Sequence, residues 1–406
     1  MITKSTPARS DEGKEPMLSL CRRVVFHRPS LKQLTLNSQH TKDRISTAKI
    51  HDLATDEELV AHSDVILSIV PPRDALMIAK RIVEACRAAS TSAMRRQMRP
   101  ERAERVVFVE MNAISPKTVA KILGLVEATH AHSRLRSQSR SNSRSNSQSQ
   151  SQPQPNQTGV SLVRRLTRTI STAVKDDART QPEETLIPPP SISITLIDAG
   201  IIGFPPSRQS DDTWQKPSIP ISGATDQLPA ALVSVLNMSL LSDKLGAAST
   251  LKACFSAMNK AFTGMVAMSF TTAHTAGVLP QLRAELERFN PATLAAAEKG
   301  LVAMPPRAYR WVEEMREIGE TFAGAGGLGR TAKEALGGVA EMYRFIAEDT
   351  ELGSERIGKR KRGLTGEDVA EAIREGVQRK KKGTDSGKKE GEGEEKLELA
   401  WRGSWS

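Results

Sequence analysis

Apolar residues in the first half of the chain come in short continuous runs that alternate with helical spacing. The segment DEELVAHSDVILSIVPPRDAL, residues 56–76, begins with a short amphipathic stretch, continues with an apolar run and ends beyond two prolines. This pattern predicts a helix at 56–61, a buried strand at 64–70 and a second helix from 73 to about 89. Continuous apolar strands of this kind are typical of a parallel sheet that is covered on both faces.

The same order of strand and helix recurs further along the chain. VVFVEMN, residues 106–112, predicts a second strand, and AISPKTVAKILGLVEATH follows it with Ser115 as helix cap and Pro116 in the first turn. ISITLIDAG, residues 192–200, predicts a third strand. Strands that alternate with helices indicate an α/β domain. Before residue 38 only residues 23–27 have a strand-like pattern, so we expect an irregular N-terminus at 1–37.

From residue 227 onward helical spacing dominates, and the breaks fall at Gly and Pro. We predict helices at 228–238, 246–277, 280–289, 291–300, 306–323 and 331–348. The run GAGGLG, residues 324–329, fits the pattern GxGxxG, but it follows a helical pattern instead of a strand. We therefore interpret it as a turn between two helices. The second half of the chain is expected to be an all-α domain at 201–355.

Two segments have the composition of disordered chain. Residues 133–157, SRLRSQSRSNSRSNSQSQSQPQPNQ, contain almost no apolar side chain whose burial could offset the entropy lost on ordering. We expect a disordered insertion at 131–190 within an α/β domain at 38–200. Residues 356–406 are expected to form a charged disordered tail, with one candidate helix at 366–379.

Charge and cysteine content narrow the function classes. The chain has 58 Lys and Arg against 47 Asp and Glu, a net charge of +11, and much of the excess lies in the low-complexity segments. The basic charge is therefore weak evidence for nucleic-acid binding. The 3 cysteines are far apart, which argues against a disulfide framework and a zinc site. No membrane span is predicted, and we expect a cytoplasmic protein, with KRKR at 359–362 as an alternative nuclear signal.

One lysine lies in an otherwise small and apolar helical run, GAASTLKACFSAMNK at residues 246–260. On a helix, Lys252, Ser256, Asn259 and Thr263 form one narrow polar stripe because they follow each other at intervals of three or four residues. Apolar surroundings lower the pKa of an amine, which makes Lys252 a candidate general acid or base. The alternative is that Lys252 extends to solvent at the edge of the helix.

Five motifs carry a family resemblance: SDVILSIVPPRDAL, FVEMNAISPKTV, LIDAGIIGFPP, ISGAT and LGAASTLKACFSAMNKA. In this order they resemble the 6-phosphogluconate dehydrogenase-like group of the β-hydroxyacid dehydrogenase superfamily. The likeness is to members with the phosphogluconate dehydrogenase NAD-binding C-terminal domain, and it covers residues 38–130 and 192–347. It implies a Rossmann domain that binds NADP or NAD, and a helical domain that completes the active site and often forms a homodimer.

The resemblance also assigns roles to residues. It implies that Lys252 is the acid/base in the oxidation of a small hydroxyacid. The substrate-binding residues that it implies are Ser222, Gly223 and Asn112, with Ser256 and Asn259 on the same side. The expected cofactor-binding residues are Val70, Pro71 and Pro72 in the loop after a strand, together with Asn112. No metal site is predicted, because the histidines show no paired ligand spacing.

The chain departs from this family at its start, because no strand, glycine-rich turn and helix precede residue 38. The fold class predicted is therefore a partial Rossmann domain that lacks its first βα unit, followed by an all-α domain. The function predicted is an NAD(P)-dependent oxidoreductase. One alternative is a non-catalytic remnant that serves as a dimerisation or scaffolding module, and another is RNA or protein recognition through the Ser/Arg segment.

Overall fold

The computed structural model of the 406-residue chain describes residues 25–27, 46–47, 51–128 and 192–387. The predicted insertion at 131–190 lies outside the described residues. The third predicted strand, which follows it, is described. Most of the predicted irregular N-terminus and the end of the chain after residue 387 lie outside them as well.

Nine strands lie in the described part of the chain. In chain order they are β1 (Val25–His27), β2 (His51–Leu53), β3 (Val65–Ser68), β4 (Arg105–Glu110), β5 (Ser193–Ala199), β6 (Ser207–Arg208), β7 (Trp214–Gln215), β8 (Ile219–Gly223) and β9 (Met238–Ser242). The main sheet has five strands in the order β3-β4-β5-β8-β9, while β1 pairs with β2 and β6 with β7. The three strands predicted in the first half are confirmed as the parallel core of this sheet.

The register of the parallel strands places polar residues side by side at one edge. Strands β3, β4 and β5 are parallel, and Glu110 of β4 lies opposite Ser68 of β3 and Asp198 of β5. Strand β8 then pairs with β5 in the antiparallel direction, and β9 pairs with β8 in the parallel direction. The strands β8 and β9 extend the sheet beyond the predicted α/β unit. Met238, expected at the end of a helix, begins β9 instead.

Five helices of the sheet domain lie in the ranges 51–128 and 192–246 that the structure describes. They are α1 (Asp56–His62), α2 (Ala75–Arg87), α3 (Ala89–Met98), α4, whose described part covers residues 116–128, and α5 (Ala230–Val235). The Thr55 side chain caps α1, because its hydroxyl accepts a hydrogen bond from the Glu58 N–H at 3.1 Å. The helix predicted from 73 to 89 begins with a 3₁₀ turn at Pro72–Asp74 and is followed by α3 after a break at Ala88.

The second domain consists of helices around one central member. They are α6 (Ala247–Thr275), α7 (Leu279–Phe289), α8 (Pro291–Ala303), α9 (Ala308–Gly324), α10 (Gly329–Glu348) and α11 (Gly366–Gly387). The 29-residue helix α6 contacts α8, α9, α10 and α11. The glycine-rich run at 324–329 connects α9 to α10, so its interpretation as an interhelical turn is confirmed. The predicted combination of an α/β sheet and an all-α domain is observed.

Helix α11 corrects the predicted domain boundary at residue 355. Val369, Ala372 and Ile373 have almost no exposed surface and join the core of the helical domain. The helix, suggested at 366–379 as one element of a disordered tail, is therefore part of the folded domain. Its apolar positions follow helical spacing, and burying them against α6 and α8 outweighs the charge of the surrounding segment.

The basic run considered as a nuclear signal belongs to the same folded region. Arg360 donates hydrogen bonds to the Val302 and Gly363 carbonyls. Arg362 forms ion pairs with Asp368 at 2.8 Å and Glu375 at 3.2 Å. The two arginines thus hold the connection between α10 and α11. Separately, none of the helices in the described ranges is long and apolar enough to cross a membrane.

Candidate active site between the two domains

A buried carboxylate fixes the beginning of α6, the helix that carries Lys252. The N-cap residue Gly246 has a left-handed φ of 92° and no side chain to satisfy the first N–H groups of the helix. Asp198, at the end of β5, accepts hydrogen bonds from the N–H groups of Gly246 and Ser249, both at 3.0 Å, and from the Ser249 hydroxyl at 2.5 Å. A negative charge at this position also stabilises the helix dipole. Asp198 therefore anchors α6 to the sheet.

Ser222 and Gly223, which the resemblance assigned to the substrate, lie at this same anchor. The Ser222 hydroxyl is buried, donates to Asp198 at 2.9 Å and accepts from the Ala248 N–H at 3.2 Å. Gly223 has a φ of +105°, and a Cβ atom there would lie 2.8 Å from the Leu245 side chain. The Ser222 hydroxyl thus has two protein partners, and it links β8 to the start of α6.

Glu110 and Asp198 are neighbouring buried carboxyl groups on β4 and β5. Burial raises the pKa of Asp198, although hydrogen bonds from Ser249, Ser222 and Gly246 oppose that shift. Burial raises the pKa of Glu110 to about 7, against the Asn112 N–H at 2.9 Å and the side chains of Ser68 and Asn112. The second Glu110 oxygen has no hydrogen-bond partner among the described residues. Burial thus shifts both carboxyls towards the neutral acid, and Asp198 has more hydrogen-bond donors to oppose that shift than Glu110 has.

Asn112 ties together the ends of β3 and β4. Its Oδ1 atom accepts a hydrogen bond from the Val70 N–H at 2.6 Å, and its Nδ2 atom donates to the Ser68 hydroxyl at 3.0 Å. The side chain therefore orients the loop that contains Val70, Pro71 and Pro72, the expected cofactor loop. Pro71 is exposed, while the buried Pro72 opens the 3₁₀ turn that leads into α2.

Lys252 is half-buried in the crevice between the domains. Its Nζ atom donates to the Ile201 carbonyl in the segment that follows β5. A Cβ atom at Gly200 would lie 2.9 Å from the Lys252 Cβ atom, so a glycine is needed for the helix to pass this close. Burial, and next the positive charge of Arg310, lower the pKa of Lys252 to about 8. The side chain is therefore directed into the protein, as the acid/base interpretation requires.

A small cavity of about 10 Å³ adjoins Lys252 at the domain interface. Ala113 and Ile114 line it from the sheet domain, and Lys252, Ser256 and Glu317 line it from the helical domain. A cavity of this size has room for about one water molecule. Ser256 is thus brought together with Lys252, as predicted. Asn259 is not: it is exposed and its Nδ2 atom donates to the Phe255 carbonyl of its own helix at 3.1 Å.

Glu317 on α9 is a residue of this site that sequence reasoning missed. Its carboxylate accepts a hydrogen bond from the Ser115 N–H at 2.6 Å and from the Thr118 hydroxyl at 3.0 Å. It therefore caps α4 of the sheet domain from within the helical domain. Since Ser115 and Glu317 are 202 positions apart, no local pattern in the sequence could have indicated this contact. Asp198 escaped notice for the same reason, because its partners in α6 follow about 50 positions later.

The described residues fit the nicotinamide end of a dinucleotide but not its pyrophosphate. The ends of β3 and β4 meet Lys252 at the edge where parallel sheets bind ligands. A pyrophosphate requires backbone N–H groups in a glycine-rich turn between a strand and a helix. In the ranges 51–128 and 192–387 no such turn follows a strand, and the glycine-rich run at 324–329 joins two helices. In those ranges there is also no group of three or more His, Cys, Asp or Glu suited to a metal ion.

Comparison with known proteins places a family domain in the helical region. Residues 273–346, from the end of α6 to α10, match the family described as Domain of unknown function (DUF1932). These residues lie within 192–347, one of the two stretches over which the sequence motifs resemble β-hydroxyacid dehydrogenases. No curated protein matches the chain.

Several solved structures are similar over most of their length. A conserved hypothetical protein from Sinorhizobium meliloti 1021 is 14% identical, with 87% of this chain and 88% of that chain covered and a TM-score of 0.45. A 3-hydroxyisobutyrate dehydrogenase from Salmonella typhimurium is 13% identical, with 83% and 88% covered and a TM-score of 0.40. A variant imine reductase from Myxococcus stipitatus, solved with NAD+, is 15% identical, with 83% and 88% covered and a TM-score of 0.32.

Proposed function

We propose that this protein is an NAD(P)-dependent oxidoreductase of the β-hydroxyacid dehydrogenase type, which oxidises or reduces a small hydroxyacid with Lys252 as acid/base. The observation that carries the proposal is the amine of Lys252. It lies half-buried in the interdomain crevice, its pKa is lowered to about 8, and its partner is the Ile201 carbonyl. Perturbed ionisable groups in a cleft are typical of functional sites.

The chemistry needs a group that exchanges one proton near neutral pH. Oxidation of a hydroxyl to a carbonyl removes a hydride from carbon, which the nicotinamide accepts, and a proton from oxygen. A neutral amine can accept that proton, and the ammonium form can return it in the reverse direction. With a pKa of about 8, both forms of Lys252 are populated near neutral pH. An ordinary lysine, with a pKa of 10.5, would be almost entirely protonated there.

The other predicted site residues are assigned by their placement. Ser256 shares the cavity with Lys252 and is the residue that we propose contacts the substrate. We propose that three residues position the site instead of contacting the substrate. Asn112 fixes the ends of the strands through the Val70 N–H, and Ser222 and Gly223 fix the start of α6 through Asp198 and Leu245. The loop from Val70 to Pro72 is proposed to lie beside the nicotinamide. The choice between NADP and NAD depends on ribose contacts outside these residues.

The second candidate function is a non-catalytic dimerisation or scaffolding module. Two observations favour it: the described residues lack a phosphate cradle, and α6 presents an apolar face to solvent. The exposed large residues of that face are Leu251, Phe255, Met258 and Met265. Single exposed apolar residues are ordinary, but a stripe on one helix is typical of an interface. A homodimer through α6 is compatible with both candidate functions.

Titration with NADPH and NADH, followed by cofactor fluorescence, separates the two candidates. For the oxidoreductase we expect saturable binding that is retained in Lys252→Met, with turnover of small hydroxyacids lowered by roughly 10² to 10⁴. Lys121→Met is the matched control, because Lys121 is an exposed lysine on α4, and it should retain activity. An absence of binding at millimolar cofactor would reject the oxidoreductase and favour the scaffolding module.

A further inference from the structure

The domain interface beside Lys252 includes a polar contact that Glu317 makes with the start of α4. The cavity at Lys252 measures about 10 Å³, which is room for about one water molecule and too little for a hydroxyacid. A ligand that reaches this side of the amine therefore requires the domains to separate. Interfaces between domains of one chain commonly permit such relative motion.

Glu317 makes one of the polar networks across this interface, and another joins Asp198 of the sheet domain to Gly246 and Ser249 at the start of α6. The Glu317 carboxylate accepts from the Ser115 N–H at 2.6 Å and from the Thr118 hydroxyl at 3.0 Å, both at the N-terminus of α4. Hydrogen bonds to a charged group are stronger than neutral ones. A further contact, between Lys117 and Glu320 at 2.9 Å, is more exposed, and exposed ion pairs contribute little.

The same carboxylate lines the cavity beside Lys252. Glu317 shares that wall with Ser256 and Ile318 from the helical domain, and it faces Ala113 and Ile114 of the sheet domain. One of the groups that join the domains therefore also borders the amine. The interface also includes close packing, such as Gly246 against Pro116, where a Cβ atom on the glycine would lie 2.9 Å from the proline ring.

We propose that Glu317 is a latch, a positioning residue whose contact with the N-terminus of α4 keeps the crevice closed over Lys252. Release of Ser115 and Thr118 by Glu317 opens the crevice and exposes the amine. Water can replace the carboxylate at the helix N-terminus, so the opening leaves no donor unsatisfied. The proposal rests on the proposed function only in taking Lys252 as the reactive group.

The test measures access to Lys252 instead of turnover, so that its failure is distinct from a failure of the proposed function. The full chain is acylated with a small amine reagent at pH 9, above the pKa of about 8 for Lys252, and the rate at Lys252 is followed by peptide mass spectrometry. The exposed Lys121 serves as internal reference. For Glu317→Ala we expect labelling of Lys252 to accelerate by about tenfold or more, as loss of charged hydrogen bonds implies.

Glu313→Ala is the matched control, because Glu313 lies one turn earlier on α9 and pairs with Arg316 of the same helix at 3.3 Å. It should leave the labelling rate at Lys252 unchanged. Equal rates in the Glu317 and Glu313 variants would overturn the proposal.

A double-mutant cycle covers the case in which Glu317→Ala fails to fold. Thr118→Val removes the hydroxyl from the sheet domain, Glu317→Gln removes the charge from the helical domain, and the third protein combines the two. We expect each single variant to accelerate labelling of Lys252. The double variant should accelerate it by less than the product of the two single fold-changes, because both act on one contact. Purely multiplicative effects, or no effect from either variant, would contradict the latch.

Discussion

The two half-buried lysines of α6 lie in opposite surroundings. Lys260 is paired with the Glu314 carboxylate, and its Nζ atom also lies 5.7 Å from the Trp311 ring. Lys252, two turns earlier, has the Ile201 carbonyl as partner, and no carboxylate in the described ranges lies within ion-pair distance of its amine. Burial, and next the positive charges of Lys252 and Arg310, lower the pKa of Lys260 to about 7. The two lysines therefore differ in their partners and not in the direction of the pKa shift.

The carboxyl groups of the sheet differ in the same way. Asp198 receives four hydrogen bonds, from Ser222, from Gly246 and from two groups of Ser249. Glu110, its neighbour across the sheet, receives one from a backbone N–H, and its other oxygen has no partner in the described part of the chain. Compensated groups hold elements together. Burial shifts the pKa values of all four groups towards the neutral forms. Of these groups, the ones with few partners beside the crevice are available for proton exchange.

The largest expected effect comes from breaking the compensated pair of α6. Glu314→Gln leaves the Lys260 ammonium in the core without a counter-charge, so the free energy of unfolding should fall by about 3 to 5 kcal/mol. Urea unfolding followed by circular dichroism measures the change. A double variant, Lys260→Met with Glu314→Leu, should recover most of the loss, because it removes both charges. A loss below about 1 kcal/mol in the single variant would contradict a structural role for this pair.

The next effect concerns the compensated carboxylate of the sheet. Asp198→Ala removes the acceptor of four hydrogen bonds, and we expect the free energy of unfolding to fall by about 3 kcal/mol. Hydrogen exchange should increase first in the N–H groups of Gly246 and Ser249, at the start of α6. Asp226→Ala is the control, because Asp226 is exposed outside this network. If exchange at those two N–H groups does not change, Asp198 is not the anchor of α6.

Glu110 gives a pH-dependent effect of somewhat smaller size. Its pKa is raised from 4.5 to about 7 in the folded protein. The contribution of Glu110 to stability is therefore fully present below pH 4.5, where its carboxyl is neutral, and it is lost as the pH rises through 7. Glu110→Gln should stabilise the protein at pH 8 by up to about 3 kcal/mol and change little at pH 4. Urea midpoints at the two pH values measure this, and an equal effect at both would contradict the raised pKa.

The smallest effect on stability is expected at Lys252. Its charge is uncompensated, so Lys252→Met should change the free energy of unfolding by no more than about 1 kcal/mol, in either direction. Thermal unfolding of this variant beside the Glu314→Gln variant compares the two lysine sites directly. A loss comparable to that of Glu314→Gln would show that Lys252 is structural, and the contrast between the two lysines would then disappear.

Local patterns were sufficient for the elements that build the site. The apolar runs ending at Ser68, Glu110 and Ala199 form the parallel core of the sheet, and the helix from 247 carries Lys252 at the predicted place. The periodicity of α6 also indicated that Ser256 lies beside Lys252, since residues four apart share one face of a helix. The polar stripe extended this to Asn259, but a bond to its own helix backbone and its exposure separate that residue from the crevice.

The remaining features depend on contacts between distant residues. β8 and β9 are both short. β8 contains Pro220, β9 lies at the edge of the sheet, and both are defined by their pairing instead of by their composition. The role of Asp198 requires that β5 end beneath the start of α6. The role of Glu317 requires that α9 cross the N-terminus of α4. The compositional prediction for residues 356–387 failed at α11 because four apolar residues at helical spacing are enough to dock a charged helix.

The pKa of Lys252 in the full chain tests the central claim most directly. It can be measured by the pH dependence of acylation at Lys252, or by NMR of reductively ¹³C-methylated protein assigned with Lys252→Met. We expect a pKa of about 8 for Lys252, which rises in Arg310→Gln because that variant removes the neighbouring positive charge. A pKa near 10.5 in the wild-type protein, unchanged in Arg310→Gln, would contradict it, since Lys252 would then be an ordinary solvated lysine.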